Sequence, residues 1–402
     1  MKIKLDQPLL DVLKFCQACG KCAAVCPVFH ATGRESLGPR GKIAILRAYA
    51  SGKLKEKDLT EVFGACVQCG KCAEACPAKL PLEDVFSHAA SCLAKYGKTG
   101  LARRAAMTLG CSHPAILDRL QAPLSMLQRN LDWLPGGKAL KGFAEALPEL
   151  GAGIGKIRPA QASGAKVLIF PGCVARWSRP EIVEASAQTL GLLGFEIDVS
   201  RKLVCCGGRP GKLADSRRLV ERNLKELRGI EFDHLVTLCP ECLKSIKKRW
   251  ITLDPDDTFA SGVASRASDI LTFIASIKDV EKLPPQPKRR AFWHKPCSIA
   301  HEDSEQARIF LGLELENDDC CGGGLGFLGR PPAQGGLEAI ASTLSSRARS
   351  RLAARGCDLV VTSCPACLQS LQKAFKDRNE KTEALHGVQF FRDALLKGRE
   401  ND

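Results

Sequence analysis

Twenty-one cysteines in 402 residues define the chemistry open to this chain. Eight fall in a near-exact repeat: Cys16, Cys19, Cys22 and Cys26 recur as Cys66, Cys69, Cys72 and Cys76, each shifted by 50, within the shared text C-x-x-C-G-K-C-A-x-x-C-P. Ten more form a second repeat. Cys173, Cys205, Cys206, Cys239 and Cys242 are followed by Cys297, Cys320, Cys321, Cys364 and Cys367, both times in the order C…CCGG…CPxC. Soft thiolates grouped in this way select iron–sulfur centres or zinc. A disulfide framework does not suit an odd count in a chain without a readable export signal.

The first repeat, C-x-x-C-x-x-C-x-x-x-C-P, is the bacterial ferredoxin signature. Three thiolates grip one cubane from a tight loop, and the fourth, past a turn, reaches the other cluster. The pairing predicted is Cys16, Cys19 and Cys22 with Cys76, and Cys66, Cys69 and Cys72 with Cys26. Zinc would ask for two-by-two knuckles, which the triple does not provide. In the second repeat, adjacent cysteines are awkward for one tetrahedral ion and easier for a larger multi-iron cluster. Zinc in one of these two copies stays open as the alternative.

The elements that must hold these thiols differ between the two repeats. Around the first, Ile43, Ile45, Leu46 and Tyr49 have helical spacing after a Gly38-Pro39 turn, and LPLEDVFSHAASCLAKYG reads as another helix. Residues 1–97 are therefore expected to be a small helical domain with two clusters. Residues 98–163 read as short amphipathic helices broken by Pro and Gly, with a local excess of basic residues. That connector is expected to pack over the domains, with a membrane-facing interfacial surface as its alternative role.

Residues 164–402 alternate strand and helix patterns twice. KVLIFPGC, FEIDVS and HLVTLC alternate with helices in 164–283; RRAFWHKPC and DLVVTSC do so in 288–402, after a PPQPKR linker at 284–289. Such alternation predicts a parallel-sheet α/β unit in each copy, with the cysteines near the sheet rim where ligands bind. The CPxC elements open helices, whose free N–H groups suit an anionic cluster. Gly207, Gly208, Gly322 and Gly323 allow a close backbone approach to the metal. The gap before the double cysteine is 31 residues in the first copy and 22 in the second, and the gap after it is 32 and then 42, which predicts related sites with different walls. The fold class expected is α+β multidomain: a helical two-cluster ferredoxin-like domain, then two tandem α/β domains.

Composition narrows the function. The formal charge is +15, yet aromatics are only 5%, too few for rows of base-stacking platforms, so no nucleic acid is expected as partner. Bound clusters add negative charge that offsets part of the excess. Apolar runs are only a few residues long, and MKIKLDQPLLDVLKF has no uninterrupted apolar core or small-residue cleavage site. The expected location is the cytoplasm, with peripheral membrane contact through the connector as a variant. There is no P-loop. Gly151, Gly153 and Gly155 form G-x-G-x-G after helical text rather than a strand, so no flavin or NAD site is read.

The paired C…CCG…CPxC copies resemble the cysteine-rich CCG domains of the heterodisulfide reductases, and the domain ahead of them resembles the ferredoxin-like component of the same enzymes. The whole order, including GPRGK after the first cluster motif and the basic connector, most resembles the glycolate oxidase iron–sulfur subunit family. The resemblance implies two [4Fe-4S] cubanes and one or two further non-cubane [4Fe-4S] clusters. Their ligands would be Cys173, Cys205, Cys206, Cys239 and Cys242 in one copy and Cys297, Cys320, Cys321, Cys364 and Cys367 in the other. The short 22-residue gap in the second copy departs from the family's usual spacing and leaves its cluster type open. The resemblance also implies an oxidoreductase subunit inactive alone. It would take electrons from an FAD-binding dehydrogenase of glycolate or D-lactate and pass them to quinone or another carrier. The alternative is a catalytic subunit that reduces a disulfide at its non-cubane clusters.

Other residues read as supporting parts. Arg40 and Lys42 are candidates for tuning the first cubane, or solvated charges at a helix start. His294 and His301 flank Cys297 as candidate proton donors, or as ordinary core and surface histidines. Cys92, Cys111 and Cys357 lie outside every motif; Cys92 and Cys357 read as buried small hydrophobes.

Overall fold

The helical spacing near the N-terminus builds a core without any sheet. In the computed structural model, which describes residues 7–93, 118–119, 164–208, 213–253, 258–277, 289–326 and 337–400, helices Gln7–Phe15, Pro39–Ala50, Glu56–Gly64 and Leu82–Leu93 surround one apolar cluster. Leu9, Val12, Ile43, Leu46, Leu59, Phe63, Val85 and Phe86 fill it, and Phe63 meets Phe86 edge-on at 6.0 Å. The expected turn at Gly38-Pro39 is a helix start, with Gly38 as N-cap and Pro39 in the first turn. The GPRGK text has a packing reason. A Cβ on Gly41 would lie 2.0 Å from the Glu35 carbonyl oxygen, so only glycine lets this helix sit against the 3-10 turn Glu35–Leu37.

Each later copy is a four-stranded, all-parallel sheet. The first has strand order β2-β1-β3-β4, with β1 Lys166–Phe170, β2 Glu196–Asp198, β3 His234–Thr237 and β4 Ala267–Asp269. The second repeats it as β6-β5-β7-β8, with β5 Ala291–His294, β6 Leu315–Asn317, β7 Leu359–Thr362 and β8 Glu383–His386. The buried runs of β1, β3, β5 and β7 are what sheets covered on both faces require. Three strands escape the sequence reading. LEN (β6), ASD (β4) and EALH (β8) are too short and too polar to carry a period of two.

The two copies share one core across a reciprocal seam. Helix Pro180–Leu192 of the first packs against the last helix of the second, Gly387–Glu400. Conversely, helix His301–Phe310 of the second packs against Ile270–Ala275, the last helix described in the first. Gly387 permits this closeness, since a Cβ there would meet Leu271 Cδ1 at 2.4 Å. Both terminal helices follow directly on the fourth strand, with Asp269 capping one of them through Leu271 N.

The N-terminal domain leans mainly on the second copy. Helix Leu337–Ala354 packs on Pro27–Thr32, and its Ile340 and Leu344 belong to the N-terminal core. Arg347 Nη1 donates to the His30 carbonyl at 2.6 Å. Toward the first copy the described side-chain bonds are polar, Lys244 pairing with Glu83 and Arg249 Nη2 lying 3.4 Å from Ser87 Oγ, where helix Leu213–Leu227 also approaches Leu82–Leu93. Burying an aliphatic side chain contributes about 1.5–3 kcal/mol, against about 1 kcal/mol or less for a part-exposed ion pair, so the second copy is the stronger anchor.

Most of the basic connector, with its expected helices and its G-x-G-x-G text, lies outside the described residues, as do Cys111 and nearly all of the linker. One described connector residue, Asp118, forms a two-pronged ion pair with Arg176 at 2.6 and 3.1 Å. The Arg176 side chain is 3% exposed and also donates to the carbonyls of Leu203 and Arg201.

Candidate metal centres

The two ferredoxin-type loops have the same backbone. Ala18 and Gly20 have φ of 55° and 82°, and Gln68 and Gly70 repeat this with 54° and 80°. Left-handed residues in tight loops turn peptide N–H groups toward a concave centre, which suits an anionic cluster. Ala18 and Gln68 accept a conformation that costs a side chain energy, so the fold holds them there.

The structure crosses the fourth cysteines between the loops. Burial first, then the neighbouring Cys16, Cys19 and Cys76, raises the Cys22 thiol, so these four face one another. Burial and then Cys66, Cys69 and Cys26 raise the Cys72 thiol in the same way. Cys26, Cys66, Cys69 and Cys72 line one cavity together. Burial pushes Cys69 up to about 12, so at neutral pH this thiol keeps its proton until a metal replaces it. Cys26 caps helix Pro27–Thr32, its Sγ accepting from Phe29 N at 3.5 Å.

The cations differ from expectation in one respect. Arg40 stands beside Cys19 and Cys22 as expected, held by Glu35 at 2.7 Å. Lys42 instead lines the cavity of Cys66, Cys69 and Cys72. It is 2% exposed, donates to the Leu37 carbonyl and bears on Cys26, the cysteine that crosses over. Reading Lys42 with the first cubane was therefore wrong, because proximity in sequence ignored that crossing.

In the first cysteine-rich copy, Cys206 hydrogen-bonds Cys205 and Cys242, and Cys242 hydrogen-bonds Cys239. Cys173 packs against the small cluster of Val204, Cys205 and Leu219. In the second, Cys367 hydrogen-bonds Cys321 and Cys364, while Cys320 faces Cys321 and Cys297. Cys239 and Cys364 are the residues that cap the two CPxC helices, Pro240–Lys244 and Pro365–Lys376. Their thiols hydrogen-bond each other across the seam. Cys239 is held low by Cys242 and then Cys364; Cys321 is held low by Cys367 and, despite burial, by His294. Deep thiols that share protons in chains are chemically ready to exchange them for one multi-metal group. The donor set of each copy, thiolates around a close-packed glycine loop, fits an iron–sulfur cluster. Gly207 and Gly322 have φ of 73° and 74°, and Cβ atoms on Gly208 and Gly323 would lie 3.4 Å from the sulfurs of Cys206 and Cys321.

Supporting residues went unread in the sequence. Ser245 Oγ and Trp250 Nε1 both donate to the Cys206 carbonyl, at 2.8 and 2.9 Å, from a π-helical turn Ser245–Trp250 that follows the CPxC helix. Ser370 Oγ donates to the matching Cys321 carbonyl at 2.5 Å. The signal was available: a serine stands three residues after the last cysteine in both copies. Asn223 joins Val204 N and the Cys205 carbonyl, at 2.8 and 3.0 Å. His301 is exposed and bonded to Lys295, while His294 is buried against the second copy's thiols. Cys92 and Cys357 are buried thiols at His88 and the Leu359 carbonyl, as read.

The thiol groups run in series. Cys69 faces Cys297 and Cys320, which pack against the N-terminal core, and Cys364 touches Cys239. At the other end Cys19 is exposed.

Comparison with known proteins agrees with this arrangement. Residues 12–80 match the family described as 4Fe-4S dicluster domain, and residues 167–247 and 291–372 each match the family described as cysteine-rich domain. A fumarate reductase (CoM/CoB) subunit of Methanothermobacter marburgensis is 30% identical over 55% of this chain. The match covers 44% of that relative, so the chain spans less than half of its length. The glycolate oxidase iron–sulfur subunit of Escherichia coli is 22% identical over 96% of this chain and 95% of its own. A probable glycolate oxidase iron–sulfur subunit of Bacillus subtilis is 20% identical over 92% and 91%. With these two domain types in this order, the chain belongs to the iron–sulfur proteins that join a 4Fe-4S dicluster domain to paired cysteine-rich CCG domains.

Proposed function

We propose that the chain is the electron-transfer subunit of a 2-hydroxy-acid dehydrogenase complex, acting on glycolate or D-lactate through a separate FAD-binding subunit. Two cubanes, on Cys16, Cys19, Cys22 and Cys76 and on Cys66, Cys69, Cys72 and Cys26, and further clusters on the five cysteines of each CCG copy would relay single electrons toward quinone or another carrier. The observation that carries this reading is the unbroken series of thiol groups, from exposed Cys19 through Cys69, Cys320 and Cys364 to Cys239. When bound, the clusters supply one-electron redox steps; the protein sets their spacing and potentials through hydrogen bonds and burial. Lys42 and the left-handed loops favour the reduced, more negative state of the second cubane. Among the described residues no helix is long and apolar enough to cross a membrane, so contact with a quinone-bearing membrane would fall to the basic connector or a partner.

Anaerobically purified protein should hold about 16 irons if all four sites are [4Fe-4S], and about 12 if one CCG copy holds zinc. The chain alone should not oxidise glycolate or D-lactate. Mixed with its flavoprotein it should reduce a quinone analogue, and Cys66→Ser should block that reduction while flavin reduction by substrate continues. Stoichiometric zinc with fewer than about 8 irons would overturn the reading.

A second reading is a disulfide reductase, favoured by the complete cysteine set in both copies and the Cys239–Cys364 meeting at the seam. Reduction of a disulfide by the chain alone with a low-potential donor, abolished by Cys320→Ala, would select it over the relay.

A further inference from the structure

The two CCG copies present the same thiols but not the same neighbours. His294 ends β5, three residues before Cys297, and is 1% exposed. Its ring nitrogen and the sulfurs of Cys321 and Cys367 all lie within 4.8 Å of one another. The imidazole hydrogen-bonds Cys321, yet its Nδ1 has no hydrogen-bond partner. A buried polar nitrogen without a partner costs about 1–3 kcal/mol, a cost that a bond to a metal held by the two neighbouring sulfurs would offset. In the first copy the position three residues before Cys173 is Phe170. It is fully buried in an apolar cluster with Cys206 and Cys242, the counterparts of Cys321 and Cys367. It packs edge-on against Trp250 at 6.1 Å and offers no donor atom.

We propose that His294 is a nitrogen ligand of the metal centre in the second CCG copy, joining Cys321 and Cys367, so that this centre has mixed imidazole and thiolate ligation while the first is thiolate only. The inference rests on the reading that the second copy holds a metal. Neutral imidazole is a good ligand for both iron and zinc, and with thiolates it makes a borderline site that either metal accepts. The place of the five cysteines allows for it. Cys297 and Cys320 face the ferredoxin side and Cys364 faces the seam, which leaves the interior flank of the centre to Cys321, Cys367 and His294. Where His294 takes an iron position that one of the five thiolates holds in the first copy, the centre carries less negative charge and its reduction potential rises, as in iron–sulfur centres with histidine ligands. The second copy, lying between the cubanes and the first copy, would then be the more easily reduced of the two.

The test uses the full chain, purified anaerobically with its native metals. Metal content comes first, in the wild type and in Cys321→Ser. If the second copy holds iron, pulsed electron paramagnetic resonance of its centre should show a strongly coupled nitrogen that His294→Phe removes. The centre's midpoint potential should lie above that of the first copy and shift in the variant. If it holds zinc, absorption at the zinc edge should show one nitrogen at about 2.0–2.1 Å beside the sulfurs, lost in His294→Phe. Wild-type spectra decide the matter even where the variant folds poorly. Metal in the second copy without directly bound nitrogen overturns the ligation and leaves the relay standing. No metal lost from Cys321→Ser overturns the ligation together with the assignment of a metal to this copy.

Discussion

The first and second CCG copies share strand order, glycine loops and a serine on the double-cysteine carbonyl, yet they are placed differently. The second is pinned to the ferredoxin domain by Ile340 and Leu344, and its Cys297 and Cys320 lie against that core. The first touches it through side-chain polar pairs and is tied instead to the connector by Arg176 and Asp118. The comparison teaches that a duplicated fold need not have duplicated duties. In the proposed relay one copy would be the receiver next to the cubanes, and the other the terminus of the series.

The largest effect that can break this comparison is on electron flow. Cys320→Ala should leave the cubanes reducible but stop reduction of the first copy's centre. Cys205→Ala should leave both the cubanes and the second copy reducible. Stopped-flow spectra with a low-potential donor check this, and equal effects from the two variants would remove the order.

Next in size is the tie on the first copy. Arg176→Ala removes a buried cation and leaves the Asp118 carboxylate and the carbonyls of Leu203 and Arg201 without it, a loss of about 3 kcal/mol. A lower denaturation midpoint with unchanged metal content is the expected outcome.

The two joints can be ranked directly. Ile340→Ala should cost about 2–3 kcal/mol and Lys244→Ala about 1 kcal/mol or less, both read from denaturation of the holoprotein. A reversed ranking would make the first copy the anchor.

The smallest effect sharpens the comparison through pH. Asp269 ends β4 opposite Thr237, and His386 ends β8 opposite Thr362, the same place in each copy. Burial pushes Asp269 up to about 7 and pushes His386 down to about 4. The Asp269 contribution is full below its unfolded pKa near 3.8 and is lost as pH rises through about 7. The His386 contribution is full above 6.5 and is lost as pH falls toward about 4. The slopes oppose each other where both groups respond, so the two contributions should nearly cancel from about pH 5 to 6.5 in the wild type. Asp269→Asn should become less stable toward acid and His386→Asn less stable toward neutrality, by at most about 1.4 kcal/mol per pH unit. Denaturation midpoints across that range check both slopes.

Much of the site was legible because thiols at metal spacing are rare and cannot be read as packing. The C-x-x-C-x-x-C triples, CCGG and CPxC were visible, and so were the long buried strands between them. What stayed hidden has physical causes. Strands of three or four residues carry no readable period, and the environment of Lys42 depends on a crossing that only the folded loops produce. His294 looked like one of two histidines beside Cys297 until burial separated it from exposed His301. The seam was illegible because a helix that faces another domain has the same apolar stripe as one that faces its own sheet.

The reciprocal seam has a consequence for the history of such a chain. Helix Pro180–Leu192 meets the other copy's last helix, and His301–Phe310 meets the first copy's last helix in return. That is the isologous form of a two-fold homodimer, a face that one copy can build with itself. In a homodimer of single copies every substitution appears on both sides of the axis at once. Joining the copies in one polypeptide removes that obligation: a phenylalanine could become a histidine, or an aspartate stand opposite a histidine, on one side alone. Two copies in one polypeptide thus escape the constraint that a symmetric homodimer would impose, and their two sites have room to specialise.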